Sequence, residues 1–77
     1  MKKNYNISVE DNGACYLIVI NAGTKDRLVI NTFNTLGGAW RSIKSMYEIE
    51  TQEFTVGEKN IPVQQWISGM KQAGYLE

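Results

Sequence analysis

An Asn12-Gly13 pair between two alternating runs constrains this chain more than any other feature. A tight turn there folds Tyr5 to Glu10 back onto Cys15 to Ile20 and sorts both segments into faces. A type I′ turn needs φ > 0 at both central residues, and Asn-Gly meets that demand with little steric cost. Centred on this pair, the hairpin sets Val9 opposite Tyr16, Ile7 opposite Ile18 and Tyr5 opposite Ile20, all apolar. The second face sets Glu10 against Cys15, Ser8 against Leu17 and Asn6 against Val19, so one strand is polar there while its neighbour is not.

A third strand follows. Arg27 to Thr32 is rich in β-branched residues, and the preceding Asn21-Ala22-Gly23-Thr24-Lys25-Asp26 is a run of turn formers. Pairing Ile20 with Leu28 also aligns Ile18 with Ile30 and Tyr16 with Thr32, which keeps the first face consistent. The opposite face then carries Leu17, Val19 and Val29 as an apolar stripe with Cys15 at one end.

Beyond Phe33 the period lengthens from two to about 3.6 residues. Leu36, Ala39, Trp40, Ile43, Met46 and Tyr47 form one helical stripe, and Asn34 or Thr35 can cap the helix through a side-chain oxygen. Gly37-Gly38 in the first turn cost helix propensity. Close approach of the helix start to the sheet accounts for them better than anion binding, because neither phosphate-loop glycine pattern is present. A second helix opens with Pro62 at its first position and carries Val63, Trp66, Ile67, Met70 and Ala73 on one side. Gly74 stops it in a Schellman arrangement that sets Tyr75 against Met70, and the terminal Leu76-Glu77 are given no role. Between the helices, Glu53 to Val56 alternates weakly and Gly57 to Asn60 reads as a turn, leaving room for a short fourth strand or hairpin. The expectation is one small α+β domain over residues 1–77: a three-stranded antiparallel meander, then two amphipathic helices, in the order βββα(β)α.

Composition narrows the function classes. The 77 residues are 43% hydrophobic and 21% charged, as in ordinary folded domains, and eight basic residues balance eight acidic ones. No net field draws the chain toward polyanions or acidic membranes. Lys2-Lys3 lead into an alternating strand and not a continuous apolar segment, which argues against a signal peptide, and the apolar run Cys15–Ile20 is too short to span a bilayer. The lone Cys15 cannot form an internal disulfide, and its expected place in an apolar strand makes it a small buried hydrophobe in a reducing, cytoplasmic setting.

The chain has no histidine, which removes the commonest general base, the usual partner of a nucleophilic Ser or Cys and the commonest metal ligand. Glu48, Glu50, Glu53 and Glu58 could supply carboxylate chemistry, but they lack the Asp-rich spacing of a calcium loop and read as a solvated edge. No catalytic residue, metal or cofactor is assigned. Of Tyr5, Tyr16, Trp40 and Trp66, three fall on core stripes and the fourth, Tyr5, is paired with Ile20, so they are read as core and not as a stacking platform for nucleic acid.

The stretch from Ile61 to Leu76 resembles the recognition helix of helix-turn-helix regulators. That resemblance implies base contacts from Gln64 and Gln65 and a phosphate contact from Lys71. It covers about a fifth of the chain, and the gap between Glu48 and Pro62 exceeds the three or four residues that join the helices of that motif. Basic residues are also scattered instead of gathered into a stripe. DNA binding is therefore the alternative to the main expectation, a non-enzymatic module acting by protein contact or by self-association through a sheet face. Leu17, Val19 and Val29 are its expected contact residues, and Val19→Asp is expected to abolish contact without unfolding the domain. Length, neutral charge and the missing catalytic residues are also typical of small accessory or inhibitor proteins of phages and mobile elements.

Overall fold

A computed structural model describes residues 5–77. The elements are β1 (Asn6–Asp11), β2 (Tyr16–Ile20), β3 (Leu28–Phe33), α1 (Leu36–Glu48), β4 (Thr55–Val56), β5 (Ile61–Pro62) and α2 (Val63–Ala73). They form a mixed α+β fold. The meander and the two helices stand where the periodicities put them, and the connection between the helices folds into a hairpin. That hairpin joins the sheet: β4 pairs parallel with β1, giving one five-stranded sheet in the order β3-β2-β1-β4-β5. Lys2 and Lys3 lie outside the described residues.

The first hairpin keeps its faces but slides by two residues. Ile7 pairs with Ile20, Val9 with Ile18 and Glu10 with Leu17, in place of the partners expected from an Asn12-Gly13 centre. Gly13 has φ +92° whereas Asn12 is not in the left-handed region, so the central residues are Gly13-Ala14, the positive-φ pattern of a type II′ turn. Side chains explain the choice. Asn12 Oδ1 accepts from the amides of Ala14 and Cys15 at 3.0 and 2.9 Å, and Asp11 Oδ1 accepts from Gly13 at 2.8 Å. These bonds hold Asn12 outside the turn centre. Cys15 closes the turn and is only half-buried, so it is not the buried strand residue expected.

Between β2 and β3, Ile20 pairs with Leu28 as expected, but the register shifts between Ile18 and Val19, and Ile18 then faces Asn31. Ile30 is the extra residue of a β-bulge. The shift replaces the expected pairs of Ile18 with Ile30 and of Tyr16 with Thr32. It also turns Phe33 onto the core face opposite Tyr16, where its ring packs against the buried cluster. The bulge thus exchanges a threonine for a phenylalanine at the core margin.

Both helices cover the same side. Ile7 and Ile18 of the sheet join Ala39, Ile43 and Met46 of α1 and Val63 and Ile67 of α2 in one buried cluster, completed by Phe54, Val56 and Leu76. Leu76 therefore has a packing role that the sequence reading did not give it. Thr35 caps α1, its Oγ1 accepting from Gly38 N at 3.1 Å. A Cβ on Gly38 would crowd the capping Thr35 Oγ1 at 3.1 Å and touch Phe33 Cδ1 of β3 at 3.5 Å, whereas one on Gly37 would meet only the Arg41 side chain of the same helix at 3.3 Å, so of the pair Gly38 alone lies against the sheet. Pro62 stands just before α2 as its N-cap, not inside it. Gly74 ends α2 at φ +87°, with Tyr75 N bonded to Met70 O at 2.9 Å, while the Tyr75 ring lies edge-on to Trp40 at 5.2 Å. Asn6 Nδ2 stitches β1 to the β4–β5 hairpin through Thr55 Oγ1, Gly57 O and Asn60 Oδ1, each at 2.9 Å.

After α1 the chain turns through Thr51 at φ +55°, a left-handed conformation unfavourable for a β-branched residue. Thr51→Gly is expected to stabilise the domain by about 0.5–1 kcal/mol, the relief of steric strain exceeding the added freedom of the unfolded chain. A urea midpoint raised at unchanged slope would show it. An unchanged midpoint would mean that threonine bears no cost in this turn.

Candidate functional site

Leu17, Val19 and Val29 share the sheet face turned away from both helices, as the alternation implies, but they do not form an open stripe. Leu17 is half-buried and Val29 is 38% exposed, whereas Val19 is 0% exposed. Register shows what crosses it. Glu10 stands opposite Leu17 on one side of β2, and Arg27 precedes Leu28, the partner of Ile20, on the other. Arg27 Nη2 donates to Glu10 Oε1 at 2.7 Å, so the ion pair spans β2 on a diagonal whose middle is Val19. The hydrogen bond from Arg27, with help from its charge, holds the Glu10 carboxyl below its ordinary pKa, and Glu10 in turn raises that of the guanidinium. Ser8, opposite Val19 in β1, carries a buried hydroxyl without a hydrogen-bond partner among the described residues. Val19 therefore has no surface to offer a partner in this conformation.

Exposed apolar surface gathers instead on β3, an edge strand of the sheet. Leu28 is 58% exposed and Val29 and Ile30 are each 38% exposed, three consecutive apolar residues on a strand whose outer side has no neighbour among the described residues. An edge strand presents unpaired N–H and C=O groups, and natural edges are commonly protected by charge, proline or a bulge. Leu28–Phe33 contains no charged residue and no proline, and its protection is limited to the bulge at Ile30 and to Asn31 Oδ1, which accepts from the Thr32 amide at 2.9 Å. On the helix side, Ile30 and Asn31 border an open cleft of about 730 Å³ reaching Ser42 and Met46 of α1. The run Leu28-Val29-Ile30 was visible in the sequence. Its exposure was not, because alternation assigned Leu28 and Ile30 to the covered face, and only the structure shows that the helices leave this margin bare.

The residues of the DNA-binding alternative are all exposed. Gln64 and Gln65 lie in the first turn of α2, and Lys71, in the last, is 3.7 Å from Glu48 of α1. Glu48 also bridges Lys44 at 3.4 Å, so the Lys71 charge is already shared within the protein. The segment before α2 is the β4–β5 hairpin, and no helix-turn-helix unit is formed among the described residues.

Glu50 Oε1 accepts a hydrogen bond from Gln52 Nε2 at 3.2 Å, and no group of three potential metal-ligating His, Cys, Asp or Glu residues occurs among the described residues. Tyr5 stacks on Phe54 with ring centroids 5.3 Å apart and donates to Gln52 Oε1. Burial raises its phenol pKa, with a smaller push from Glu50. Trp40 and Trp66 pack against the buried cluster, which is the core role expected of them. Among the described residues, no helix is long and apolar enough to cross a membrane.

Comparison with models of protein families, with curated proteins and with solved structures returns no match.

Proposed function

We propose that this protein is a non-enzymatic binding module that acts through protein–protein contact, and that the contact is made by the free edge of β3. The observation that carries the reading is the run Leu28-Val29-Ile30, exposed and uncharged on a strand that pairs with β2 on one side and has no neighbour on the other among the described residues. Addition of an extended segment to such an edge satisfies the open backbone groups and covers the apolar side chains together. Affinity then comes from the main chain, and selectivity from side chains entering the cleft beside Ile30. The contact surface is thereby moved from the Leu17, Val19 and Val29 stripe to the strand margin, with Val29 common to both.

Selection of binders from a displayed library of short extended segments tests this. Binders are expected to lose retention on Ile30→Lys, which places a charge on the edge while changing stability by no more than about 0.5 kcal/mol, as at most surface positions. Binders held equally well by Ile30→Lys would overturn the reading. Retention on duplex DNA that falls steeply with salt, and is lost in a Gln64, Gln65 and Lys71 triple variant, would replace it with the nucleic-acid alternative.

A further inference from the structure

We infer that the strand received by β3 is β3 of a second copy of this chain, paired antiparallel about a two-fold axis at Ile30-Asn31. The inference rests on the edge-contact reading above and names its occupant. The full-length pairing sets Leu28 opposite Phe33 of the second copy, Val29 opposite Thr32, and Ile30 opposite Asn31. Residues directly opposite each other in an antiparallel ladder share a face.

In β3, Leu28 faces the core side with Ile20 and Phe33 does so with Tyr16, while Val29 and Thr32 face the reverse side with Val19 and Leu17. Ile30 and Asn31 both border the cleft on the helix side. Every pair in the full-length register therefore joins like faces. An unbulged strand of six residues would fail this test, because its first and last side chains point to opposite faces. The bulge that turns Phe33 inward is thus also what makes the whole strand complementary to itself.

Charge is compatible with the same arrangement. None of the six residues is charged, and the formal net charge of the chain is zero, so neither local nor global repulsion opposes association of two copies. An isologous contact of this kind closes at two chains, joining two five-stranded sheets into one and leaving neither β3 edge open.

Sedimentation equilibrium over a concentration series, with amide spectra of the same samples, tests the inference. The native chain is expected to reach twice its monomer mass, with the amides of residues 28–33 shifting on dilution, and Ile30→Lys and Leu28→Lys are each expected to remain folded and monomeric. A dimer that persists in both variants would place self-association on another surface and overturn the inference while leaving open what β3 receives. A monomer at every concentration would also overturn it. A blocked synthetic peptide copying residues 27–34 then separates the two readings: shifts confined to β3 on adding it preserve the edge as a strand acceptor, and no shifts remove that reading as well.

Discussion

Ile43→Ala is expected to cost about 2–5 kcal/mol of folding stability, the range for deleting a buried isoleucine side chain to the β-carbon. Ile43 is 0% exposed and lies in the cluster that holds α1 against the sheet, so the change removes apolar burial from water and leaves a cavity that close-packed neighbours refill only in part. Domains of this size hold only about 4–12 kcal/mol in total at the usual stability per residue, so the loss takes much of what is available. It is read as a lower urea midpoint at unchanged slope, or as a melting temperature lower by about 4–8 °C per kcal/mol. Ile49→Ala is the internal control. Ile49 follows the same helix but is 76% exposed, and its truncation is expected to cost less than about 0.5 kcal/mol. Equal losses at the two positions would refute the placement of α1 on the sheet.

Val19→Asp is expected to be as damaging, by about 3 kcal/mol or more, because it places a carboxylate where no surface reaches water. Arg27 offers limited relief. Its guanidinium already donates twice to Glu10, at 2.7 and 3.4 Å, so a new carboxylate either goes unpaired or displaces Glu10. Val29→Asp places the same group in the next strand on the same face, but at a 38% exposed position, and is expected to leave the fold intact. Urea denaturation of the two variants side by side decides the matter. If Val19→Asp folds as stably as the native chain, the reverse-face stripe is open after all, and Leu17, Val19 and Val29 return as contact residues.

This expectation reverses the one drawn from sequence, and the reason is specific. Alternation correctly places Val19 on the side away from both helices, but facing away from a helix is not the same as facing water. A central-strand residue can be sealed by its own sheet. Here Arg27, just before β3, reaches Glu10 of β1 across it, a contact between residues 17 positions apart that only the strand registers bring together. Similarly, the parallel pairing of β4 with β1 brings Asn6 to Thr55 across 49 positions, and no local pattern encodes it.

What the sequence determined by itself is everything that depends on neighbours along the chain: the change of period after Phe33, a side-chain cap at Asn34 or Thr35, the Gly74 stop, the turn between α1 and α2, and the two unlike faces of β1 and β2. These follow from backbone geometry and side-chain spacing within a few residues. The two-residue slide of the first hairpin is also local, set by the Asp11 and Asn12 side chains, although the Asn-Gly pattern alone pointed to another centre. Tertiary structure decided the bulge at Ile30, the recruitment of β4 and β5 into the sheet, the packing of Leu76 into the core, and which apolar residues remain exposed. Exposure depends on what lies above a side chain, and in this fold that cover comes from distant segments: helices that leave the β3 margin bare, and an ion pair that closes over Val19.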